Sequence, residues 1–316
     1  MDRRTFLMLT SLATAASAMT PAVLRAQGVN EVRIGYQKTG LLVIARQRGV
    51  LEKRLGSEGP QIKWVEFTSG PPLLEAISNG SLDFGAVGDS PPIFAQAANA
   101  NIVYAASSPI SNGQGILVSQ GSSIKAISDL RGKRVGFTKG SSANNVVLLT
   151  LEKAGLTYAD ITPVYLTPPD AGPAFANGSI DAWAVWDPYF AIGETKQNAR
   201  ILINAHEVGK TNAFFIANRD FANKRPGQLS DIIAGLATAA EWAESHRGDV
   251  AKSLHEITGV PLDIQTVAAN RATFAIGPVT EEVIQTQQRV ADGFQKLGLI
   301  PRQIKVRDIV WRAPQT

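Results

Sequence analysis

Two short runs rich in glycine, serine and proline stand where predicted strands give way to helices, and they carry groups suited to holding an anion. The runs are Gly88-Asp-Ser-Pro-Pro92 and Lys139-Gly-Ser-Ser142. A helix start exposes unpaired backbone N–H groups and the positive end of the helix dipole, so it can bind an anion without a cationic side chain. Serine and aspartate before a helix also act as plain caps, and for each run alone that alternative stays open. Because both runs would face one cleft, we expect an anion site, with Asn145 close by as a neutral donor.

Aromatic residues stand at the end of another predicted strand, Asp181–Trp186. Trp183 and Trp186 are three residues apart, so their side chains point to opposite faces of the strand. We expect Trp183 in the core and Trp186, nearer the strand end, on the cleft wall, where a ring suits an alkyl or aryl tail. Asp187 is expected to cap the helix that follows, and the alternative that it receives a cationic ligand group stays open.

The residue types that most catalytic and metal sites need are scarce in this chain. It has no cysteine, which excludes a disulfide framework, a thiolate metal site and a cysteine nucleophile. Its histidines, His206, His246 and His255, do not stand at metal-ligand spacing, and there is no Gly-x-Ser-x-Gly motif. We therefore expect a protein that is not an enzyme, with no catalytic residue, metal or cofactor.

Two stretches of the sequence occur twice, about one hundred residues apart. Arg33-Ile-Gly-Tyr-Gln-Lys38 is similar to Arg134-Val-Gly-Phe-Thr-Lys139, at an offset of 101 residues. Residues 79–89 are similar to residues 177–187 at an offset of 98, with seven of eleven positions identical. Two collinear matches at nearly the same offset predict two lobes built to one plan.

Each predicted lobe alternates strands with helices, as in the strand Glu31–Gln37 followed by the helix Leu41–Leu55. This alternation indicates an α/β fold in which each lobe has a mainly parallel sheet with helices on both faces. Ligands of such sheets bind beyond the carboxyl ends of the strands, so the cleft should lie between the lobes. Asp83 recurs as Asp181, and a residue repeated in both lobes predicts a structural role, such as a turn cap.

The last hundred residues contain no third copy of the repeat, and the simplest assembly returns them to the first lobe. The predicted first lobe therefore comprises residues 27–117 and 214–316, and the second lobe residues 118–213. The chain would cross between lobes near Ile116–Ser119 and Thr211–Phe215.

The first 26 residues have the order of a secretory signal. Arg3-Arg4-Thr5-Phe6-Leu7 opens it, apolar and small residues follow, and cleavage candidates end at Ala18 and Ala26. The arginine pair favours the twin-arginine route, with an ordinary Sec signal or an uncleaved anchor as alternatives. The apolar run is short for a membrane span and no cysteine is present to carry a lipid, so we expect a soluble periplasmic protein.

Composition and charge indicate an ordinary globular chain without an affinity for nucleic acid. The sequence is 44% hydrophobic and 18% charged. Cleavage after Ala26 would remove three arginines and one aspartate, which lowers the formal charge from +4 to +2. So small a charge, without a basic run, gives no case for nucleic acid. About 290 mature residues suit two lobes of domain size.

The chain resembles the aliphatic-sulfonate-binding proteins of ABC importers, within the larger group of taurine, nitrate and thiamine-precursor receptors. The resemblance runs from about residue 31 to Trp311, and its matching segments are residues 33–38, 64–67, 88–98, 139–142, 165–168 and 181–189. Residues 88–98 and 181–189 are long enough to point to the sulfonate branch. The resemblance implies a monomer with a type II periplasmic binding fold that closes around its ligand by a hinge. It also implies a membrane permease and its ATPase as partners, with the membrane contacted through that permease.

The resemblance further implies where the ligand lies. The sulfonate head is expected at Gln37, the Ser90 loop and the helix start at residues 141–142, and the tail beside Trp186 and Asp187. Some relatives carry an apolar residue where this chain has Ser90, so the resemblance supports the backbone N–H there more than the hydroxyl. The complete predicted set of ligand-binding residues is Gln37, Gly70, Asp89, Ser90, Ser141, Ser142, Asn145, Trp186 and Asp187.

Other functions remain open at this point. Within the same class the ligand could be taurine, nitrate or a pyrimidine thiamine precursor. In another class the chain could be a sulfinate hydrolase on the same scaffold, which is disfavoured because such enzymes rely on a cysteine nucleophile. A third alternative is a sensor module that presents its ligand-bound form to another receptor.

Overall fold

A computed structural model describes residues 31–109 and 112–313. The predicted export signal at residues 1–26 lies outside the described residues, as do residues 27–30 of the predicted first lobe. Within the described part of the chain, ten strands form two five-stranded sheets that helices cover on both sides. No helix in this part is long and apolar enough to cross a bilayer.

The strands are β1 (Glu31–Tyr36), β2 (Gln61–Glu66), β3 (Phe84–Val87), β4 (Ile102–Pro109), β5 (Gln114–Ser119), β6 (Arg134–Phe137), β7 (Thr162–Tyr165), β8 (Ala182–Trp186), β9 (Ala199–Asn204) and β10 (Asn212–Asn218). The helices are α1 (Leu41–Arg48), α2 (Val50–Leu55), α3 (Gly70–Ser78), α4 (Ser90–Ala97), α5 (Ser142–Lys153), α6 (Pro168–Ala176), α7 (Tyr189–Lys196), α8 (Ala205–Val208), α9 (Arg219–Lys224), α10 (Pro226–Ser245), α11 (Arg247–Thr258), α12 (Leu262–Arg271) and α13 (Glu281–Lys296). Short 3-10 helices lie at Ile127–Leu130, Tyr158–Asp160 and Val306–Ile309.

The two sheets have the same strand order. The first is β2-β1-β3-β10-β4 and the second is β7-β6-β8-β5-β9. Strands β1 and β6, which carry the first repeated motif, occupy equivalent places, and so do β3 and β8, which carry the second. The predicted α/β fold with two similarly built sheets is therefore confirmed. We call the first sheet with α1–α4 and α9–α13 the first half, and the second sheet with α5–α8 the second half.

Each sheet is mixed, whereas the sequence predicted mainly parallel sheets. Pairings of β1 with β2 and β3, and of β6 with β7 and β8, are parallel. All antiparallel pairings involve β5 or β10, each of which enters a sheet directly from the other half. Strands β5 and β10 are not joined to their neighbours in the sheet by βαβ connections. They are therefore not constrained to run parallel to those neighbours.

The first crossing lies a few residues before its predicted position, and the second falls within the predicted range Thr211–Phe215. Strand β5 begins at Gln114 and belongs to the second sheet, although residues 114–117 were predicted in the first lobe. Strand β10 begins at Asn212 and belongs to the first sheet, although residues 212 and 213 were predicted in the second lobe. The extent of the lobes as independent domains stays a prediction.

The predicted helix Leu41–Leu55 is two helices, α1 and α2, which meet at Gly49. Gly49 adopts the left-handed conformation (φ 59°, ψ 34°), and its N–H donates to the carbonyl oxygen of Arg46 at 3.1 Å. Glycine enters this conformation at little cost, so the first helix ends there in the usual way. The apolar pattern continues across the break, which is why the sequence indicated one helix.

Apolar side chains cover both faces of each sheet. Helices α1, α10 and α11 pack on one face of the first sheet, and α3, α4 and α13 on the other. Helix α5 packs on one face of the second sheet, and α6 and α7 on the other. With the faces covered, the loops at the carboxyl ends of the strands are left to face the opposite half.

Asp83 and Asp181 brace equivalent positions in the two halves. The Asp83 carboxylate accepts hydrogen bonds from the Arg33 backbone N–H at 2.8 Å and from its Nε and Nη2 at 3.0 and 2.8 Å. Asp181 accepts the same three hydrogen bonds from Arg134, at 2.8, 3.0 and 2.7 Å. These contacts tie the strand that carries the first motif to the loop before its neighbour, and they give the repeated aspartates a structural role.

We expect Asp83→Asn to lower the free energy of unfolding by about 2 kcal/mol and Asp181→Asn by about 1 kcal/mol. The Asp83 side chain is 12% exposed and that of Asp181 is 31% exposed, so water compensates less for the lost contact at Asp83. The hydrogen bond from Arg134 holds the pKa of Asp181 below its ordinary value of 3.8. The contribution of Asp181 to the free energy of unfolding is therefore present at neutral pH, and it is lost as the pH falls through the pKa of Asp181 in the folded protein. Urea unfolding measures each effect.

Asp249→Asn, in an exposed ion pair with Lys252, is the control for these variants and should change the unfolding free energy by less than about 0.5 kcal/mol. If Asp83→Asn were as mild as this control, the brace would not stabilise the sheet.

Candidate functional site

A cavity of about 180 Å3 lies between the two halves, beyond the carboxyl ends of β1, β3, β6 and β8. The first half contributes Gln37, Thr39, Gly40, Leu41, Leu42, Gly70, Ala86, Val87, Gly88, Pro91, Ser108, Pro109, Ala213, Phe214, Phe215, Ala272, Thr273 and Phe274. The other lining residues are Gly113, Gln114, Ser141, Ser142, Trp186 and Asp187. Among the described residues that line the cavity there is no lysine or arginine. Its polar groups are therefore hydroxyls, amides, backbone groups and one carboxylate.

The start of α5 opens into this cavity. The Ser141 hydroxyl donates to the carbonyl oxygen of Thr138 at 2.7 Å, which fixes the turn before the helix. Gly140 has φ 72°, a left-handed conformation that glycine allows, and its N–H donates to Asn144 Oδ1 at 3.0 Å. No hydrogen bond within the described residues involves the Ser142 hydroxyl. The turn thus presents a helix start and a free hydroxyl donor to the cavity.

The two halves meet beside this helix start, at Gly88 and Ser142. A Cβ atom added to Gly88 would lie 2.6 Å from Ser142 Cβ, so the approach requires glycine. Gly70, at the first position of α3, has a similar constraint, since an added Cβ would lie 2.7 Å from Pro91 Cγ. Both glycines line the cavity and let the backbone come close to whatever occupies it.

Two glutamine side chains add amide groups to the lining. Gln37 Nε2 donates to the carbonyl oxygen of Ala86 at 3.3 Å, and its Oε1 is buried without a hydrogen-bond partner among the described residues. Gln114 is 6% exposed, and its Nε2 donor is likewise buried without a partner in this part of the chain. A buried donor without a partner costs about 1–3 kcal/mol. Gln114 therefore favours an occupant that offers an acceptor.

The two tryptophans of β8 occupy different environments. Trp183 is 1% exposed and packs in the core of the second half, where its ring lies 5.8 Å from that of Phe175. Trp186 is partly buried and lines the cavity. The alternation of side chains along the strand places them as the sequence predicted.

Asp187 has the capping role that the sequence predicted, and its role towards a ligand stays a prediction. Its Oδ1 accepts a hydrogen bond from the Ala191 N–H at 3.0 Å, which caps the first turn of α7. Its Oδ2 is buried and has no hydrogen-bond partner among the described residues, although Arg271 Nε forms an ion pair with it at 3.4 Å. Burial raises the pKa of Asp187 to about 7, and the charge of Arg271 opposes that rise. The carboxylate thus presents an acceptor at the cavity wall.

Asp89, Ser90 and Asn145 join the halves in a buried network. Asp89 Oδ1 accepts a hydrogen bond from the Ser90 hydroxyl at 2.8 Å, and its Oδ2 accepts one from Asn145 Nδ2 at 2.7 Å. Gln287 Nε2 donates to the Asp89 carbonyl oxygen at 2.6 Å. Burial raises the pKa of Asp89 to about 6, and the hydrogen bonds from Ser90 and Asn145 oppose that rise.

The predicted residues thus fall into two groups. Those that line the cavity are Gln37, Gly70, Ser141, Ser142, Trp186 and Asp187. Those in the network between the halves are Asp89, Ser90 and Asn145, which are not among the lining residues. As ligand contacts, all nine stay predictions.

Sequence reasoning missed the lining residues of β5 and of the segment after α12, chiefly Gln114 and Phe274. Gln114 is the first residue of the apolar strand β5, and the apolar residues that follow it could have identified it as a residue at the end of a strand. Phe274 stands outside both repeats and beside no recognisable loop motif, so no local signal pointed to it.

The chain matches one family model and a curated relative over most of its length. Residues 57–248 match the family described as NMT1/THI5 like. Over 308 residues the chain is 39% identical to an aliphatic sulfonates-binding protein of Escherichia coli (strain K12), with 96% of each chain covered.

Two solved structures share the fold at similar identity. The alkanesulfonate-binding protein of Xanthomonas axonopodis pv. citri, bound to MOPS, is 40% identical with a TM-score of 0.86. The match covers 90% of this chain and 99% of that one. The periplasmic aliphatic sulphonate binding protein of Escherichia coli is 38% identical with a TM-score of 0.81, and the match covers 91% of this chain and 94% of that one.

Proposed function

We propose that this chain, which belongs to the NMT1/THI5-like family and to its aliphatic-sulfonate-binding members, is the periplasmic substrate-binding component of an ABC importer. Its ligand is an alkanesulfonate, taken up as a source of sulfur. One observation carries the proposal: the start of α5, with the free hydroxyl of Ser142, lines the same cavity as the ring of Trp186. An anion site and an apolar wall therefore serve the same ligand.

The sulfonate head suits the polar part of the cavity. A sulfonate stays ionised at physiological pH and only accepts hydrogen bonds, so it needs donors and no proton acceptor. The start of α5, the Ser142 hydroxyl and the unpaired Nε2 of Gln114 are such donors. Because these donors are neutral, no cation has to be desolvated when the anion enters.

The tail suits the apolar part of the cavity. Leu41, Leu42, Phe214 and Phe274 line it together with Trp186. Burial of apolar surface stabilises the complex by roughly 25 cal/mol per Å2. Nitrate and sulfate have no tail to use this surface, and an alkanesulfonate does. Taurine and a pyrimidine thiamine precursor are the remaining alternatives.

We propose the following route and partners for the mature protein. A twin-arginine signal at residues 1–26 exports it to the periplasm, where it acts as a soluble monomer. A membrane permease and its ATPase receive the ligand-bound form. The nine predicted site residues, joined by Gln114, form the ligand site.

A thermal-shift panel on the mature chain tests the function. The panel comprises short and long alkanesulfonates, taurine, MOPS, nitrate, sulfate and a pyrimidine. A ligand that binds the folded state raises the unfolding midpoint. Shifts confined to sulfonates with a tail support the proposal. A shift with nitrate or the pyrimidine, and none with sulfonates, would replace the substrate and leave the fold unchanged. Consumption of any ligand, detected by mass spectrometry, would favour an enzyme.

Ser142→Ala is expected to weaken alkanesulfonate binding by more than tenfold, about 1.4 kcal/mol, because it removes a donor to the anion. Ser253→Ala is the matched control. Its hydroxyl donates to Gln47 Oε1 at 3.2 Å and Ser253 is not among the residues that line the cavity, so its loss should lower stability more than affinity. Isothermal titration calorimetry measures both. Equal affinity of the Ser142 variant and the wild type would remove this hydroxyl from the site.

A further inference from the structure

Arg271, the last residue of α12, reaches across to the second half. Its Nη2 donates to Glu194 Oε2 at 2.7 Å, and its Nε lies 3.4 Å from Asp187 Oδ2. The guanidinium carbon lies 5.2 Å from the centre of the Phe190 ring. The Arg271 side chain is only 17% exposed. All three contacts are therefore made in a largely desolvated place next to the cavity.

The helices that Arg271 joins belong to different halves, since α12 is in the first and α7 in the second. Ala191 of α7 packs against Val260 and Ile264, beside and within α12. Lys196 and Asp263 form a second ion pair across the same interface at 2.7 Å, and both side chains are more than half exposed. Arg271 thus supplies the buried ion pairs of this interface, and Lys196 an exposed one.

We infer that Arg271 is a positioning residue for ligand capture: its guanidinium holds the Asp187 carboxylate at the cavity wall and stabilises the arrangement of the halves that encloses the ligand. The inference rests on the proposed function in one respect, namely that this cavity is the ligand site. Arg271 does not line the cavity, so it acts through Asp187 and through the interface of α7 with α12.

The charges around Asp187 give the physical reason. Two charged side chains shift the pKa of Asp187: the charge of Arg271 lowers this pKa, and the charge of Glu194 raises it. Without Arg271, burial and Glu194 both favour the neutral carboxyl. Removing one partner of a buried ion pair also leaves the others desolvated and unpaired, which costs more than an exposed pair contributes. The lost ion pairs therefore destabilise the arrangement in which the two halves are in contact.

The variants Arg271→Gln, Arg271→Lys and Lys196→Gln test the inference, with hexanesulfonate as the probe. Calorimetry should show affinity at least tenfold lower for Arg271→Gln and within twofold of wild type for Lys196→Gln. Arg271→Lys keeps the positive charge and loses the bidentate geometry of the guanidinium, so its affinity should lie between those of Arg271→Gln and Lys196→Gln. Equal affinities of Arg271→Gln and the wild type would overturn the role in capture.

A titration of the ligand-free protein tests the hold on Asp187 independently of any ligand. Carboxyl-carbon NMR should show the Asp187 midpoint at least one pH unit higher in Arg271→Gln and unchanged in Lys196→Gln. A purely structural arginine would lower stability without moving this midpoint, and an unmoved midpoint would overturn the inference. If Arg271→Gln does not fold, Arg271→Lys carries the affinity test. Absence of binding of every sulfonate in the thermal-shift panel by the wild type would refute the proposed function, while the titration would still decide on Arg271.

Discussion

Replacing Gly88 by alanine is expected to weaken alkanesulfonate binding at least a hundredfold, about 2.7 kcal/mol, and to leave the fold intact. The added Cβ would lie 2.6 Å from Ser142 Cβ and 2.8 Å from its Oγ, well inside normal contact. Gly88 belongs to the first half and Ser142 to the second, so the clash acts between the halves. The backbone of Gly88 is outside the left-handed region, so alanine is not strained there. The halves must move apart beside the anion site, and the enclosing arrangement loses population.

A double variant separates this clash from other effects of the substitution. Ser142→Gly removes both atoms that the new methyl group would meet. Gly88→Ala should therefore weaken binding much less when it is made in the Ser142→Gly background than in the wild type. Calorimetry gives the affinities, and urea unfolding checks that each variant folds. Small-angle scattering at saturating ligand should show less compaction for Gly88→Ala alone. Wild-type affinity of Gly88→Ala would refute the close approach of the halves in the bound state.

Trp183→Ala and Trp186→Ala should affect different properties, although the two residues are three apart on one strand. Trp183 is 1% exposed, and its truncation should lower the free energy of unfolding by about 3–5 kcal/mol through lost burial and a cavity. Trp186 is partly buried on the cavity wall, so its truncation should weaken alkanesulfonate binding more than tenfold, with a smaller loss of stability.

The same two experiments on each variant distinguish these effects. Urea unfolding gives the stability, and calorimetry gives the affinity at a temperature where both variants are folded. Trp183→Ala should bind within a few-fold of the wild type while it remains folded. Binding at wild-type strength by Trp186→Ala would mean that the Trp186 ring does not contact the ligand. The apolar contacts to the ligand tail would then come from Phe274 and its neighbours.

The sequence by itself determined the features that depend on neighbouring residues or on repetition. The periodicity of apolar residues identified most strands and helices, because burial on a sheet or helix face repeats at a fixed spacing. The repeat predicted two sheets of one plan and a structural role for Asp83 and Asp181. The spacing of Trp183 and Trp186 separated a core residue from a cavity residue, because side chains alternate along a strand.

Loop chemistry identified the helix start at Ser142 for the same reason. A strand end, a glycine and a capping serine are adjacent in sequence, so their combined effect can be inferred locally. What lies opposite that helix start is set by the other half. The approach of Gly88, which fixes how tightly the anion site can close, follows from the packing of residues that are 54 positions apart.

Only the tertiary structure decided which distant residues share the site. Gln114 lines the cavity because its strand crosses into the second sheet, and Arg271 reaches Asp187 because the end of the chain returns to the first half. Asp89 and Asn145, whose contact with the ligand stays a prediction, form a hydrogen bond with each other between the halves and are not among the residues that line the cavity. A local pattern specifies the environment that a side chain needs, such as burial or a charged partner. Which partner meets that need depends on the path of the chain, and residues far apart in sequence carry no mutual periodicity that would reveal it.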